Sequence, residues 1–202
     1  MTRDYQMKKR AVAHDETRER IIRATMAVHD EQGVAATSFV DVAKRAGLGA
    51  ATVYRHFPTL GELVMACGSH VWAEMQPPVP AEAPAAFAGV DGREARLLRL
   101  VELLDGFYRR GALRLGKAAI DRDAVPELDG FLLAVEAGTA ALVREAVKDE
   151  TIAAPELQML LVLTDFPVWR ALQRLELDAP SRNRRFARLL SSIIAGGADR
   201  EV

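Results

Sequence analysis

The 202-residue chain has a single cysteine, Cys67, and only 6% of its residues are aromatic. One cysteine excludes a disulfide framework within the chain and fits a reducing cytoplasm. No apolar run approaches the ~20 residues that a membrane-spanning helix needs. The basic N-terminus (Arg3, Lys8, Lys9, Arg10) has no apolar segment behind it, so neither a membrane partner nor a signal peptide is expected. The four histidines (His14, His29, His56, His70) show no metal-ligand spacing such as H-E-x-x-H, and no G-x-S-x-G elbow is present. No metal, no cofactor and no catalytic residue are therefore expected, and the chain does not read as an enzyme.

Strand patterning is also nearly absent. Nothing alternates apolar and polar for long, and Ala, Leu, Glu and Arg dominate. The expected fold class is all-α. The net charge of −1 hides an asymmetry. Residues 1–60 hold ten basic and seven acidic side chains, a surplus of three, so the remainder carries about −4. A basic end on an acidic body suits a protein that offers one end to a polyanion, although a solvated helical surface reads the same way.

Residues 1–14 read as a flexible basic arm. Helical spacing of Ile21, Ala24, Thr25 and Val28 places a first helix from about Asp15 to Gln32, ended by Gly33. Ser38 and Asp41 form an S-x-x-D capping box for a second helix whose apolar face is Phe39, Val42, Ala43 and Ala46. Thr59 and Glu62 cap a fourth helix reaching about Met75. The stretch 77–90 holds four of the nine prolines and reads as a loop. Helices then follow to about Arg110, over 112–121, from Pro126 to about Lys148, from Pro155 to about Leu175 with a kink at Pro167, and from Ser181 to Ala195.

Between the second and fourth helices lies "AGLGAATVYRHF" (residues 46–57). Its glycines come one residue short of the G-x-G-x-x-G/A fingerprint of a dinucleotide site. That fingerprint needs a strand before it and a long helix after it. Here a capped helix precedes it, and Pro58 stops the following helix after about two turns. Two short helices joined by a glycine-bearing turn make a helix-turn-helix instead, whose second helix enters the major groove of DNA by its N-terminal end. The exposed positions of that helix are Ala50, Ala51, Thr52, Tyr54, Arg55 and His56. A threonine methyl can touch a thymine methyl, and the last three can reach phosphates or base edges. Tyr54 suits a phosphate contact and packing alike, and His56 suits the DNA surface first, with a cap or packing role close behind. Ser38 sets a helix N-terminus suited to a phosphate, and Val40 is an oddly exposed valine on the same helix.

The segment "TSFVDVAKRAGLGAATVYRHFPTLGELV" (residues 37–64) resembles the DNA-binding region of the TetR family of transcriptional repressors, whose Tyr-x-His-Phe signature falls on Tyr54, His56 and Phe57. Ala43, Gly47 and Thr52 match as well. The resemblance covers about residues 15–70. It departs at Gly49, where serine is common, at Leu60, where a phosphate-binding lysine is common, and at His29, where an aromatic is usual. It implies a helix-turn-helix domain over 15–58 with a linking helix over 59–75, then a ligand-binding and dimerisation domain over 76–202. The implied partners are a palindromic double-stranded DNA operator, a small-molecule effector that releases it, and a second copy of the chain. A ligand-independent regulator or activator of the same fold is the alternative, with a helical enzyme or carrier behind it.

In the C-terminal part the candidate ligand-lining residues are Trp72, Met75, Phe107, Tyr108, Phe131, Met159, Asp165, Phe166 and Trp169, against the plainer reading that they are ordinary core. Asp165 in "VLTDFPVW" is a poor core residue unless paired, so it is expected to orient a ligand or meet an arginine. Cys67 reads as a buried, inert thiol.

Overall fold

A computed structural model describes residues 3–198, which are helical with no strand among them. The chain divides into two compact units. The first takes residues up to 74 together with 116–131; the second takes 75–115 and the residues from 132 onward.

The first unit holds α1 (Arg3–Gln32), α2 (Phe39–Ala46), α3 (Ala50–His56) and α4 (Leu60–Met75). Ile21, Ile22 and Met26 of α1 close over Val42, Ala43, Val53, Phe57, Leu63 and Cys67 to form its core. Cys67 is buried, as its apolar setting implies. The chain leaves α1 through Gly33, whose φ of 92° is left-handed. The end of α6 (Arg93–Asp121) clasps this turn from two sides. Lys117 donates to the Glu31 carbonyl at 3.1 Å, while the Asp121 carboxylate accepts from the amides of Val34 (2.7 Å) and Ala35 (3.2 Å). A cation meets the carbonyl end of α1 and an anion meets the free amides beyond it, so both charges suit the backbone they touch. His29 lies beside this clasp. Burial holds its pKa down at about 4 against the opposing pull of Asp30 and Asp121, so it is neutral at neutral pH.

The second unit is built on α6, whose Leu97, Leu100, Val101, Leu104, Phe107 and Tyr108 are buried. Around it lie α7 (Pro126–Ala146), α8 (Ala154–Leu163), α9 (Phe166–Leu172) and α10 (Ala179–Ala198). Buried Arg96 ties the start of α6 to other chain segments. It donates to the carbonyls of Ala146, Val90 and Glu145 and lies over the Phe87 ring at 5.0 Å.

Four features differ from the sequence reading. The helix α1 begins at Arg3, not near Asp15, so the described part of the N-terminal stretch is helical rather than an arm. It contains no glycine or proline, and extending a helix that is already nucleated costs little. The proline-rich stretch is folded as well. A 3-10 turn over Pro80–Glu82 runs into the single-turn α5 (Ala83–Ala86), and Phe87 behind it is buried. The two helices expected before residue 121 are one, because Gly111 is a close-packing position rather than a stop. A Cβ there would lie 2.4 Å from the Met75 side chain. Pro167 separates α8 from α9 rather than kinking one helix, since it falls in the first turn of α9, where no backbone N–H is needed.

Close packing also decides a prediction in α7. A Cβ on buried Gly138 would lie 1.9 Å from the Pro78 carbonyl oxygen, whereas one on exposed Gly130 meets nothing within 4 Å. Glycine-to-alanine in a helix gains about 1 kcal/mol by propensity, and overpacking against backbone costs about 1–3 kcal/mol. Gly130→Ala is therefore expected to raise the denaturant midpoint and Gly138→Ala to lower it. Equal shifts would show that the Pro77–Pro78 segment does not press on α7.

Candidate nucleic-acid interface

The α2–α3 unit is set by its caps. The Ser38 hydroxyl accepts from the Asp41 amide at 3.2 Å, and the Asp41 carboxylate accepts from the Ser38 amide at 3.2 Å, completing the capping box. These bonds consume two of the donors at the start of α2 and leave the Phe39 and Val40 amides projecting from its first turn. Gly47 ends α2 in the left-handed conformation, with φ of 63°. Its amide bonds the Lys44 carbonyl, and the Leu48 amide returns to Ala43 at 2.9 Å. Gly49 starts α3 with extended backbone and no side-chain cap.

Only seven residues long, α3 is held by Val53 and Phe57, which are buried in the core. That pairing fixes which face points out. Ala51, Tyr54 and Arg55 are exposed, while Ala50, Thr52 and His56 are half-buried at the edges. Tyr54 has both characters read from the sequence: 51% of it is exposed, and its ring lies 4.2 Å from Phe39. Val40, 66% exposed, lies one residue beyond Phe39 on the same helix, and Ser38 is exposed at its cap. The structure thus brings Ser38, Val40, Ala50, Ala51, Thr52, Tyr54, Arg55 and His56 onto neighbouring turns of α2 and α3.

Two residues missed from the sequence join them. His14 sets its ring 4.3 Å from that of His56, and Arg18 lies over the Phe57 ring at 4.9 Å. Both stand on α1, more than thirty residues away in sequence, and no local pattern links them to α3. His56 is held below the usual histidine range, first by desolvation and then by His14, Arg55 and Arg18. Its Nδ1 is buried without a hydrogen-bond partner.

The proposed ligand residues separate. Trp72 and Phe131 pair edge to face at 5.7 Å within the first unit. In the second unit, Tyr108 sits among Phe107 (5.1 Å), Phe166 (5.5 Å) and Trp169 (5.7 Å), and its hydroxyl donates to the Thr164 carbonyl at 3.0 Å. Met75 is buried in that unit. Met159 is exposed on α8 and lines no interior. Asp165 is exposed too: it is the N-cap of α9 and accepts from the Phe166 amide at 2.7 Å. An acid directly before a helix-starting proline segment caps that helix, and no arginine is needed to keep it.

The buried acid is Asp105, on α6. It accepts from Trp169 Nε1 (2.8 Å), Arg109 (2.6 Å), Asn183 (3.4 Å) and Arg182 (3.5 Å). Burial pushes its pKa up, but hydrogen bonds from Trp169, Arg109 and Asn183 outweigh that and hold it below the usual carboxylate range. An acid inside the apolar run "VELLDGFY" was its sequence signal. Beside it is a cavity of about 20 Å³, lined by Leu104, Tyr108, Leu163, Trp169 and Arg182, with room for about one water.

Comparison with known proteins falls on the same segment. Residues 21–67 match the bacterial regulatory proteins of the tetR family. No curated protein matches the chain. Among solved structures, the chain is similar to the transcriptional regulator SCO7518 from Streptomyces coelicolor A3(2) (TM-score 0.58, 16% identity, covering 89% of this chain and 98% of that one). It is also similar to a TetR transcription regulator from Haloarcula marismortui (TM-score 0.56, 17% identity, 91% and 98%) and to the multidrug binding protein EbrR complexed with imidazole (TM-score 0.55, 22% identity, 88% and 89%). At these identities the likeness is one of fold.

The His56 environment gives a pH dependence with a definite sign. The free protein disfavours the protonated ring, and an approaching phosphate favours it, so binding DNA takes up protons. DNA affinity is expected to rise as pH falls through the histidine range, and His56→Gln is expected to flatten that rise. Identical pH profiles for the two proteins in fluorescence-anisotropy titrations would place His56 away from the phosphates.

Proposed function

We propose that this tetR-family protein, a DNA-binding transcriptional regulator by its N-terminal unit, is a homodimeric repressor that reads a palindromic operator and leaves it when a small molecule binds its second unit. The observation that carries the reading is the outward face of α3. Small Ala51 and Thr52 permit close approach to a groove, and Tyr54 and Arg55 stand exposed beside them on a helix anchored by Val53 and Phe57.

Dimerisation is supported by α8 and α10. They pack together through buried Leu160, Leu190 and Ile194, yet Met159 and Val162 of α8 and Leu189 of α10 remain exposed, Val162 by 64%. Apolar side chains on two adjacent helices suit a second copy of the same surface. Two-fold pairing sets two α3 helices one turn of DNA, or a multiple, apart and calls for a palindrome.

Effector response is supported by the aromatic cluster around Tyr108 and the buried polar group at Asp105, a combination typical of small-molecule sites. The cavity beside them holds about one water, so an effector must open it. Release requires that the effector bind the DNA-free state more tightly than the bound one. The proposed route for that bias is α6, whose final turn holds the α1–α2 turn through Lys117 and Asp121.

Two measurements test the reading. The purified protein is expected to bind DNA flanking its own gene selectively, with affinity falling steeply as salt rises, and Tyr54→Ala/Arg55→Ala/His56→Ala is expected to abolish the selectivity. Selective binding retained by that triple variant would mean that another helix reads the DNA. Separately, Val162→Glu is expected to yield monomers by sedimentation and to weaken operator binding by roughly 10²-fold or more through lost avidity. A variant that stays dimeric would move the interface off α8.

A further inference from the structure

Residues 7–16 of α1 are all exposed. No part of this stretch packs an apolar face inward: Tyr5, Met7 and Val12 are each more than half exposed. A free helix of about this length is marginal in water and is sustained here only by continuity with the anchored remainder of α1. Packing therefore does not account for it. Its composition gives another account, because Lys8, Lys9 and Arg10 follow one another with no acidic residue from Tyr5 to His14.

One contact fixes where this extension leaves the body. His14, at its base, lies 4.3 Å from His56, the last residue of α3. Side chains three, four and seven residues apart share a helix face. Ala11, Arg10 and Met7 therefore lie on the face that His14 turns toward α3. At 1.5 Å per residue, Lys8–Arg10 lie about 6–9 Å beyond His14 along the axis.

We propose that the N-terminal part of α1 is a second DNA-contacting element, which lays Arg10 and a neighbouring lysine on the phosphate backbone flanking the half-site that α3 reads. The proposal rests on the DNA-regulator reading above and adds to it a surface outside the helix-turn-helix. Its chemistry is limited by shape. A helix about 10–12 Å wide does not fit a minor groove about 6 Å wide, and α3 takes the major groove. What remains within reach is the sugar-phosphate backbone. Such contacts give affinity and salt dependence without base preference. They also provide the cation that Leu60 does not.

The test uses the full chain and the triple variant Lys8→Ala/Lys9→Ala/Arg10→Ala, whose alanines keep the helix and touch no core. Affinity is measured against salt on a selected operator duplex, on the same duplex trimmed of its flanks, and on an unrelated duplex. Each lost phosphate contact lowers the slope of log K against log salt by about 0.9, so a fall of about 2 per DNA-binding head is expected. Affinity for operator and unrelated DNA should drop by the same factor, leaving the ratio unchanged. Trimming the flanks should weaken the wild type and leave the variant unaffected. Ala13→Pro, which keeps every charge but breaks the helix below His14, should lose the same contacts; full wild-type slope in that protein would overturn the helical geometry. An unaltered slope in the alanine variant beside selective wild-type binding overturns this proposal alone, as does an altered base preference. A wild-type protein with no selective DNA binding overturns the regulator reading and this one with it.

Discussion

The constraint on which the exposed face of α3 depends is the burial of Val53 and Phe57. A helix as short as α3 has no stability of its own, because nucleation consumes most of what its few hydrogen bonds provide. Its existence and its rotation both come from two side chains four residues apart being locked among Ile21, Ile22, Met26 and Leu63. Once that side faces inward, Tyr54 and Arg55 face outward and His56 is held at the edge. Arg18 lies over the Phe57 ring, so a basic residue of α1 belongs to the same structure that sets α3. Burying a pair of this size contributes several kcal/mol, far more than the few tenths at stake in the choice of N-cap residue. An uncapped Gly49 therefore does not compromise the helix it begins.

The second dependence is electrostatic. Unpaired charges are costly to bury, and the molecule uses that cost to fix positions. Arg96 is satisfied by three carbonyls and a ring face, so the start of α6 has one placement. Asp105 gathers Trp169, Arg109, Arg182 and Asn183, which ties α9 and α10 to α6. At its far end α6 presents Lys117 and Asp121 to the α1–α2 turn with matching polarity. One continuous helix thus carries a buried polar network near its middle and a polar clasp at its end. Gly111, between the two, is packed against Met75, and no proline interrupts the helix.

Much of this was legible in the sequence where the determinants are local. The Ser38–Asp41 box, the left-handed Gly47 and the alternation of buried Val53 and Phe57 with exposed Tyr54 and Arg55 all lie within a few residues of one another, and each has a mechanism that a short window reveals. What was not legible depended on distant partners. Gly111 signals a stop unless Met75 is known to press on it. Pro80 and Pro84 suggest a loop unless Phe87 is known to find a buried place. Asp165 drew attention because it stands among aromatics, yet its role is a cap one residue long, while Asp105, equally anomalous in an apolar run, is the acid with four partners. Position relative to the next proline separates the two. An acid immediately before Phe-Pro caps a new helix; an acid in mid-helix has only side chains to satisfy it.

The departures from the family pattern also fit together physically. Gly49 and Leu60 remove two groups, a capping hydroxyl and a lysine, from the neighbourhood of α3. Leu60 instead packs against the core of the first unit, adding apolar contact where a cation would have stayed in solvent. A guanidinium comes instead from α1, where Arg18 covers Phe57, and His14 on the same helix touches His56. Arg18 stands next to the anchored part of α1, three and four residues before buried Ile21 and Ile22. A contact group loses less entropy on binding when its backbone is already fixed. Leu60 thus gives the core of the first unit hydrophobic cover, while Arg18 keeps a basic group beside α3.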